Sequence, residues 1–214
     1  IARRKAEKYA LEIAADISYP TIRILIRFLG WLWNRIYDGV EVNHMERLHD
    51  VAKNKEVIYV PCHRSHIDYL LLGYVTYEEG LHLPHVAAGI NLNMPLVGGI
   101  LRRGGAFFLR RSFKGNRLYA AVFYAYINQI LVKGYSMEYF VEGGRSRTGR
   151  LLAPKGGMLI MTINSYIKSP QRPIVFVPIY FGYEKLIEGN SFINELGGAK
   201  KKKESIGGLF SSID

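Results

Sequence analysis

The sequence predicts an α/β fold: a mixed, largely parallel central sheet flanked by helices, with an N-terminal helical segment. From Glu56 onward, short β-branched and aromatic runs alternate with longer stretches of helical periodicity. The 214 residues, 49% hydrophobic and 22% charged, suffice for one domain with its own core, which excludes disordered and collagen-like chains. The single cysteine, Cys62, excludes a disulfide framework and fits a reducing compartment.

The predicted elements alternate along the chain. The five strands are predicted at Val57–Val60, His85–Ala88, Ala106–Leu109, Ser136–Val141 and Ile174–Tyr180. The helices between them are predicted near Ser65–Tyr77, Pro95–Arg102, Gly115–Val132 and Lys155–Ile167. Strand–helix alternation favours a largely parallel sheet. We divide the chain into an N-terminal helical segment (1–42), a main domain (43–196) and a Gly- and Lys-rich loop or truncated edge (197–214).

The stretch Thr21–Tyr37 is predicted to be a helix with a wide apolar surface. Arg23, Arg27, Gly30 and Asn34 recur at spacings that place them in one narrow stripe, while nearly all other positions are large and apolar. Such a helix suits a membrane interface, and it equally suits burial against the rest of the domain. No strongly apolar, uncharged run reaches the ~20 residues that a membrane-spanning helix needs.

Positive charge is distributed unevenly in a chain whose formal net charge is +11. Residues 80–137 contain Lys and Arg but no Asp or Glu, and a separate lysine run occupies 200–203. A long stretch without carboxylates indicates an anionic partner. The candidates are nucleic acid, a lipid headgroup and a phosphorylated metabolite.

The first candidate site follows the first predicted strand. His63 lies in the turn, and Asp68 lies in the first turn of the next helix, so folding back the turn can bring Asp68 to one imidazole nitrogen. The other nitrogen would then serve as a general base for a substrate hydroxyl. Alternatively, Ser65 and Asp68 form an S-x-x-D capping box that only starts the helix. His66 is too close in sequence to face Asp68, and Cys62 would point away from His63.

A basic cluster follows the third predicted strand. Arg110 and Arg111 come directly after Ala106–Leu109, and Lys114 and Arg117 follow them. The planar guanidinium fork fits phosphate bidentately, which makes the arginine pair a candidate phosphate clamp. A solvated basic loop is the alternative.

A glycine-rich cationic turn follows the fourth predicted strand. Glu142 begins it, Gly143 and Gly144 allow the backbone to approach a ligand, and Arg145 and Arg147 add cations. The Gly-x-x-x-x-Gly spacing here lacks the Lys-Ser/Thr of a Walker loop, and no Rossmann fingerprint follows a strand. No metal-ligand spacing stands out among the six histidines and the single cysteine.

All three clusters follow the carboxyl ends of predicted strands. Ligands of open α/β sheets bind beyond those ends. We therefore expect a base, a phosphate clamp and a cationic turn to meet in one crevice. This arrangement suits attack by a hydroxyl of a phosphate-bearing substrate.

Four sequence blocks resemble, in order, those of the glycerolipid acyltransferases. HRSHID at 63–68 matches their H-x4-D block, and GAFFLRR at 105–111, FVEGGRSR at 140–147 and VPIY at 177–180 resemble the other three. The residues of these blocks resemble those of the long bacterial glycerol-3-phosphate acyltransferases more than those of the lysophosphatidate enzymes. The latter usually carry N-H-x-S-x-x-D and F-P-E-G-T, whereas here Cys62 precedes His63 and Gly144 replaces the Thr.

The resemblance implies transfer of a fatty acyl group from acyl-CoA or acyl-carrier protein to the sn-1 hydroxyl of glycerol 3-phosphate. The product would be 1-acyl-glycerol 3-phosphate, in the first step of phospholipid biosynthesis. The resemblance implies no cofactor, metal or covalent acyl-enzyme. It makes His63 the general base, Asp68 its orienting partner, and Glu142 and Gly143 residues needed for activity. The substrate-binding positions that it implies are Arg64, Ser65, Arg110, Arg111, Arg145, Ser146, Arg147 and Pro178.

Family members are longer on both sides, and the first residue here is Ile. We therefore expect residues 43–196 to be the acyltransferase catalytic domain of a longer protein. The expected location is the inner (cytoplasmic) membrane, with peripheral attachment on the cytoplasmic side.

Three alternatives remain open at this point. A nucleic-acid-binding module would fit the charge, but the basic residues lie beside glycine turns rather than on a groove-entering helix, so no nucleic acid is expected as a partner. A non-catalytic protein of the membrane surface could use the Thr21–Tyr37 helix and the lysine run. Finally, the acceptor could be lysophosphatidate.

Overall fold

The computed structural model describes residues 1–189, 192, 193 and 197. Its helices are α1 (Ala2–Ile13), α2 (Tyr19–Ile36), α3 (Met45–Ala52), α4 (Asp68–Glu78), α5 (Val97–Arg103), α6 (Arg117–Val132) and α7 (Gly157–Lys168). The strands are β1 (Glu56–Pro61), β2 (His85–Gly89), β3 (Ala106–Leu109), β4 (Met137–Glu138) and β5 (Ile174–Ile179). Apart from Gly197, the predicted loop at 197–214 and its lysine run lie outside the described residues. The proposed boundaries near 42 and 196 stay predictions.

The five strands form one sheet in the order β3-β2-β4-β1-β5, and every described pairing is parallel. The predicted α/β class is therefore confirmed. β1 is buried along most of its length, as expected for a strand covered on both faces. β5 pairs with β1 over six positions and lies at the edge of the sheet, where Pro178 is tolerated because its outer side needs no ladder hydrogen bond.

Helices cover both faces of the sheet. On one face, α1 and α6 enclose the largest core cluster together with Ile58, Phe107 and Met137 from three strands, and α7 packs against this cluster. On the other face, α3 and α4 pack on Val57, Tyr59 and β5, and α2 packs on α4. The fold is thus three layers, with both sides of the parallel sheet removed from water.

Two predicted boundaries differ from the observed ones by three residues, and the others by two or fewer. The helix predicted from Ser65 begins at Asp68, because the carboxylate of Asp68 accepts hydrogen bonds from the preceding backbone and holds it in a turn. The strand predicted at Ser136–Val141 contains only Met137 and Glu138, because the chain turns after Tyr139 and closes a bond from Gly143 N–H to the Phe140 carbonyl. The short helix α3 was not predicted.

Helix α2 is buried on one side and exposes large apolar residues on the other, so burial against the domain is observed and a membrane contact stays a prediction. Ile22, Ile26 and Leu29 are buried on its inner side, together with Leu32 and Trp33. Its outer side exposes Ile24, Phe28 and Trp31 at 69%, 41% and 61% of their surface, beside the exposed Arg23 and Arg27. Across the described part of the chain, no helix combines the length and hydropathy needed to cross a bilayer.

Two arginines of the carboxylate-free stretch are used inside the fold. The Arg102 guanidinium donates to the backbone carbonyls of Glu12 and Ala14, at the carboxyl end of α1. The Arg110 guanidinium pairs through two 2.7 Å hydrogen bonds with the Glu12 carboxylate. Cations are favoured at a helix carboxyl end. Part of the local positive charge therefore fastens α1 to the sheet.

A buried carboxyl group occupies the central strand β4. Met137 faces the α6 side, so the next residue, Glu138, faces the opposite layer. Glu138 is fully buried, and neither of its carboxyl oxygens has a hydrogen-bond partner among the described residues. Burial, reinforced by the charge of Asp68, raises the pKa of Glu138 well above 4.5. The neutral carboxyl form is therefore favoured in the folded protein.

Replacing Glu138 by Gln tests this conclusion. The raised pKa means that wild-type stability falls as pH increases from about 4.5 through the folded-state pKa, because only the unfolded chain releases the proton there. Gln at position 138 has no proton to release. The free energy of unfolding of Glu138→Gln minus that of wild type should therefore increase by up to about 1.4 kcal/mol for each unit by which the pH rises. Urea denaturation at several pH values measures the difference. The exposed Glu78→Gln serves as control, and a pH-independent difference for Glu138→Gln would contradict the assignment.

Candidate active site

The parallel sheet brings the carboxyl ends of all five strands to one edge, and the predicted functional segments follow these ends. β1 lies between β4 and β5, so the segments after these three strands are immediate neighbours. Residues 63–68, which we call the histidine turn, connect β1 to α4 and lie at the centre of this group.

The histidine turn contains the predicted His–Asp pair. Nδ1 of His63 lies 2.9 Å from Oδ2 of Asp68, and the Asp68 side chain is fully buried while that of His63 is 15% exposed. The same Oδ2 accepts the backbone N–H groups of Arg64 at 2.6 Å and Ser65 at 2.9 Å. Asp68 therefore closes the turn that leads into α4 and contacts His63 with the same oxygen, so the turn-forming and orienting interpretations are compatible.

Glu142 connects the turn after β4 to the histidine turn. Its Oε1 accepts the backbone N–H of His63 at 2.8 Å, and its Oε2 accepts the N–H of Leu152 at 2.7 Å. Glu142 is buried, and the neighbouring Phe140 ring stacks on the His63 imidazole with centroids 3.9 Å apart. The carboxylate of Glu142 thus fixes the backbone of the candidate base, while Phe140 covers one face of its ring.

Other positions of the glycine-rich turn also contact the histidine turn or support its neighbours. The N–H of Ser146 donates to the His63 carbonyl at 2.8 Å, and its buried hydroxyl donates to the Arg150 carbonyl. Gly143 has φ 62°, and a Cβ there would come within 2.7 Å of the Lys155 side chain. The positive φ favours glycine at this position, and a Cβ would additionally displace the Lys155 side chain.

Glu188 is a connecting residue that the sequence did not indicate. Its carboxylate accepts the Ser65 hydroxyl at 2.7 Å, the His66 N–H at 2.9 Å and Nη1 of Arg145 at 3.1 Å. The side chains of Glu188 and Arg145 are almost completely buried. Ser65 and Arg145, two predicted substrate-binding residues, thus meet at one carboxylate. No motif signals this residue, because it lies 123 positions after Ser65.

The remaining predicted residues around the histidine turn occupy its borders. Arg64 is buried, donates to the Arg150 carbonyl at 3.3 Å and lies 5.7 Å from the centre of the Tyr180 ring. Arg147 lies 5.6 Å from the centre of the Phe192 ring. Pro178 is exposed in β5, opposite Val60 of β1.

The arginines after β3 are not drawn into this group. Arg110 is engaged by Glu12 and stacks over Tyr9 and Tyr119, and its hydrogen bonds to Glu12 raise its pKa further. Arg111 is exposed. β3 is three strand positions from β1, which corresponds to about 14 Å at the usual strand spacing. This spacing separates the strand backbones, so the exposed Arg111 side chain must extend toward β1 to share a small ligand with His63.

An apolar groove lies in the layer next to the histidine turn. It lies between α2, α4 and the strands β2 and β3, has a cavity volume of about 70 Å³, and its lining includes Ile26, Leu29, Tyr69, Leu83 and Val86. Tyr69 directly follows Asp68, and burial raises its pKa to about 12, so its hydroxyl keeps its proton. One residue of the groove lining is thus the next residue in the sequence after Asp68.

The site can be compared with known proteins. A family model described as "Acyltransferase" matches residues 39–182. Curated proteins named "Glycerol-3-phosphate acyltransferase" are similar over nearly the whole chain. Those of Pseudomonas aeruginosa and Pseudomonas entomophila are 60% and 59% identical over 217 and 212 residues, covering 100% and 99% of this chain. The chain spans only about a quarter (26%) of the length of each.

A solved structure is also similar to this chain. It is described as a 1-acyl-sn-glycerophosphate (LPA) acyltransferase from Thermotoga maritima. The match covers 94% of this chain and 100% of that one at 16% identity, with a TM-score of 0.38.

Proposed function

Because the chain belongs to the acyltransferase family, we propose that it forms the catalytic part of a glycerol-3-phosphate 1-O-acyltransferase. In this proposal a fatty acyl group passes from acyl-CoA or acyl-carrier protein to the sn-1 hydroxyl of glycerol 3-phosphate. The product, 1-acyl-glycerol 3-phosphate, enters phospholipid synthesis. The observation that carries the proposal is the contact between Nδ1 of His63 and Asp68 at the carboxyl edge of the sheet.

The chemistry assigned to this pair is general base catalysis. Asp68 accepts a hydrogen bond from Nδ1–H of His63, so Nε2 carries the lone pair. Nε2 removes the proton of the acceptor hydroxyl as its oxygen attacks the thioester carbonyl, and the protonated imidazole can return the proton to the leaving thiolate. The buried Asp68 stabilises the imidazolium between these steps. We assign the fatty acyl chain to the groove beside Tyr69 because the lining is apolar; its volume of about 70 Å³ requires the groove to widen as the chain enters.

The phosphate is assigned to the cationic residues around this edge. Arg111 is exposed beyond β3, and Arg147 lies beyond β4. Guanidinium groups bind phosphate oxygens in pairs, which suits them to the dianion of glycerol 3-phosphate. Arg145 and Ser65 are held by Glu188 in this structure, so we assign them to organising the site before substrate enters.

Replacing His63 by Ala tests the proposal. Loss of a general base should reduce acyl transfer by about 10²- to 10⁴-fold, while glycerol 3-phosphate still binds because the cationic residues are unchanged. The assay supplies labelled glycerol 3-phosphate and acyl-CoA to the complete protein and measures turnover and substrate dissociation separately. His82→Ala, at an exposed imidazole, is the matched control. Near wild-type turnover of His63→Ala would remove His63 from the mechanism, and transfer only to lysophosphatidate would replace the proposed acceptor.

We also propose peripheral attachment to the cytoplasmic side of the inner membrane through α2. Its exposed Ile24, Phe28 and Trp31 recur at the spacing of one helical face and are flanked by Arg23 and Arg27. Aromatic side chains enter the interface, and each cation near an anionic leaflet adds about 1 kcal/mol. The opposite side of the same helix packs on α4, which begins at Asp68, so the proposed membrane face and the His–Asp pair share one layer.

Replacing Trp31 by Ser tests the membrane surface. The loss of its exposed apolar area should weaken binding to phosphatidylglycerol-containing vesicles by about tenfold. Binding should also fall with salt, because Arg23 and Arg27 contribute through charge. Ile167→Ser removes a similarly exposed apolar side chain (69% against 61% for Trp31) from α7, on the opposite face of the sheet, and should leave binding unchanged. Equal effects of the two variants in a flotation assay would contradict the assignment to α2.

A further inference from the structure

A tyrosine hydroxyl lies behind the His–Asp pair. The O–H of Tyr183 donates to Oδ1 of Asp68 at 2.6 Å, while Oδ2 faces Nδ1 of His63 at 2.9 Å. The two oxygens of one buried carboxylate are thus divided between the candidate base and this tyrosine. Tyr183 follows β5 and is 115 residues from Asp68, beyond the fourth sequence block.

The Tyr183 ring is itself held on several sides. Its centroid lies 6.0 Å from that of Tyr37, which ends α2, and 6.4 Å from that of Phe181. It packs against the cluster that contains Leu32 and Trp33. The hydroxyl of Tyr183 is therefore aimed at Asp68 by a fixed ring.

A hydrogen bond to a carboxylate from a well-positioned hydroxyl is short and strong, as the 2.6 Å distance indicates. It restricts rotation of the carboxylate, which keeps Oδ2 directed at His63. It also draws negative charge toward Oδ1, so that Asp68 stabilises the imidazolium less than an unshared carboxylate would. Burial and the neighbouring charge of Asp68 raise the pKa of Tyr183, so the tyrosine remains the proton donor near neutral pH.

We propose that Tyr183 is a positioning residue for the acyl transfer, which fixes the Asp68 carboxylate and sets the pH range in which His63 acts as the base. This inference rests on the proposed function. It assigns a role outside the four sequence blocks. It also connects the His–Asp pair to the end of α2, because Tyr183 lies between Asp68 and Tyr37.

Other ionisable groups surround the pair, and they stay constant in the test below. Those that face Asp68 or Tyr183 from neighbouring elements are Tyr37 of α2, Tyr69 of α4, Glu138 of β4, and Glu188 with its partner Arg145. Glu142 faces the backbone of His63 rather than its ring. Among the described residues, the hydroxyl that donates to Asp68 is that of Tyr183.

The test compares Tyr183→Phe with wild type in the complete protein. Without the hydroxyl, Asp68 stabilises the imidazolium more strongly. We therefore expect the acidic limb of the pH profile of kcat/KM to move up by about one unit, which reduces activity about tenfold at low pH. KM for glycerol 3-phosphate at alkaline pH should be unchanged. 3-Fluorotyrosine at position 183, a stronger hydrogen-bond donor, should move the limb in the opposite direction.

Tyr37→Phe is the matched control. It removes the hydroxyl of the adjacent ring, which donates to the Lys185 carbonyl rather than to the pair, and should leave the acidic limb in place. A loss of activity by the same factor at every pH, together with a lower melting temperature, would show that Tyr183 is merely structural. An unchanged profile would also overturn the proposal.

An NMR titration of the His63 imidazole separates this inference from the proposed function, because it needs no substrate. The titration midpoint should rise in Tyr183→Phe and stay at the wild-type value in Tyr37→Phe. This result would support the positioning role even if glycerol 3-phosphate proved not to be the acceptor. Identical midpoints in all three proteins would overturn the role of Tyr183 while leaving the acyl transfer itself untouched.

Discussion

The buried carboxylate of Asp68 is the group around which the rest of the site is arranged. Removing a carboxylate from water is costly unless its oxygens are hydrogen-bonded, and Asp68 is fully buried. Its oxygens accept hydrogen bonds from the His63 imidazole, two backbone N–H groups and the Tyr183 hydroxyl. Asp68 also lies at the amino end of α4, where the helix dipole favours negative charge. The histidine turn folds back because this brings its N–H groups to the carboxylate of Asp68. The same fold places His63 at the edge of the sheet.

Two further carboxylates extend this organisation to neighbouring segments. Glu142 takes the N–H of His63 and so ties the turn after β4 to the histidine turn, while Glu188 takes the Ser65 hydroxyl, the His66 N–H and Arg145. Three acidic side chains from three parts of the chain thus fix one short turn. The positive charge that dominates the composition is partly used in the same way, because Arg102 and Arg110 fasten α1 to the sheet.

The sequence predicted what depends on local pattern. The five strands, the parallel sheet and the spacing of His63 and Asp68 follow from alternation and from a turn that folds back on itself. Contacts across the sheet could not be predicted, because they depend on strand order: Glu188 and Tyr183 reach the histidine turn from more than 100 residues away, and Arg110 meets Glu12 across 98. The strand that contains Glu138 was predicted, but its early end at Glu138 and the complete burial of that carboxyl group were not, because the first depends on the turn after Tyr139 and Glu is disfavoured in strands.

The central claim is that Asp68 orients and supports His63 as the base, and Asp68→Asn tests it most directly. The amide has the same shape and can still accept the N–H groups of Arg64 and Ser65, so the turn should fold. It removes the negative charge behind the imidazole, so the imidazolium formed during transfer is no longer stabilised. We predict that turnover of the complete protein with glycerol 3-phosphate and acyl-CoA falls about 10³- to 10⁴-fold, with an unchanged dissociation constant for glycerol 3-phosphate. Wild-type turnover in Asp68→Asn would contradict the account.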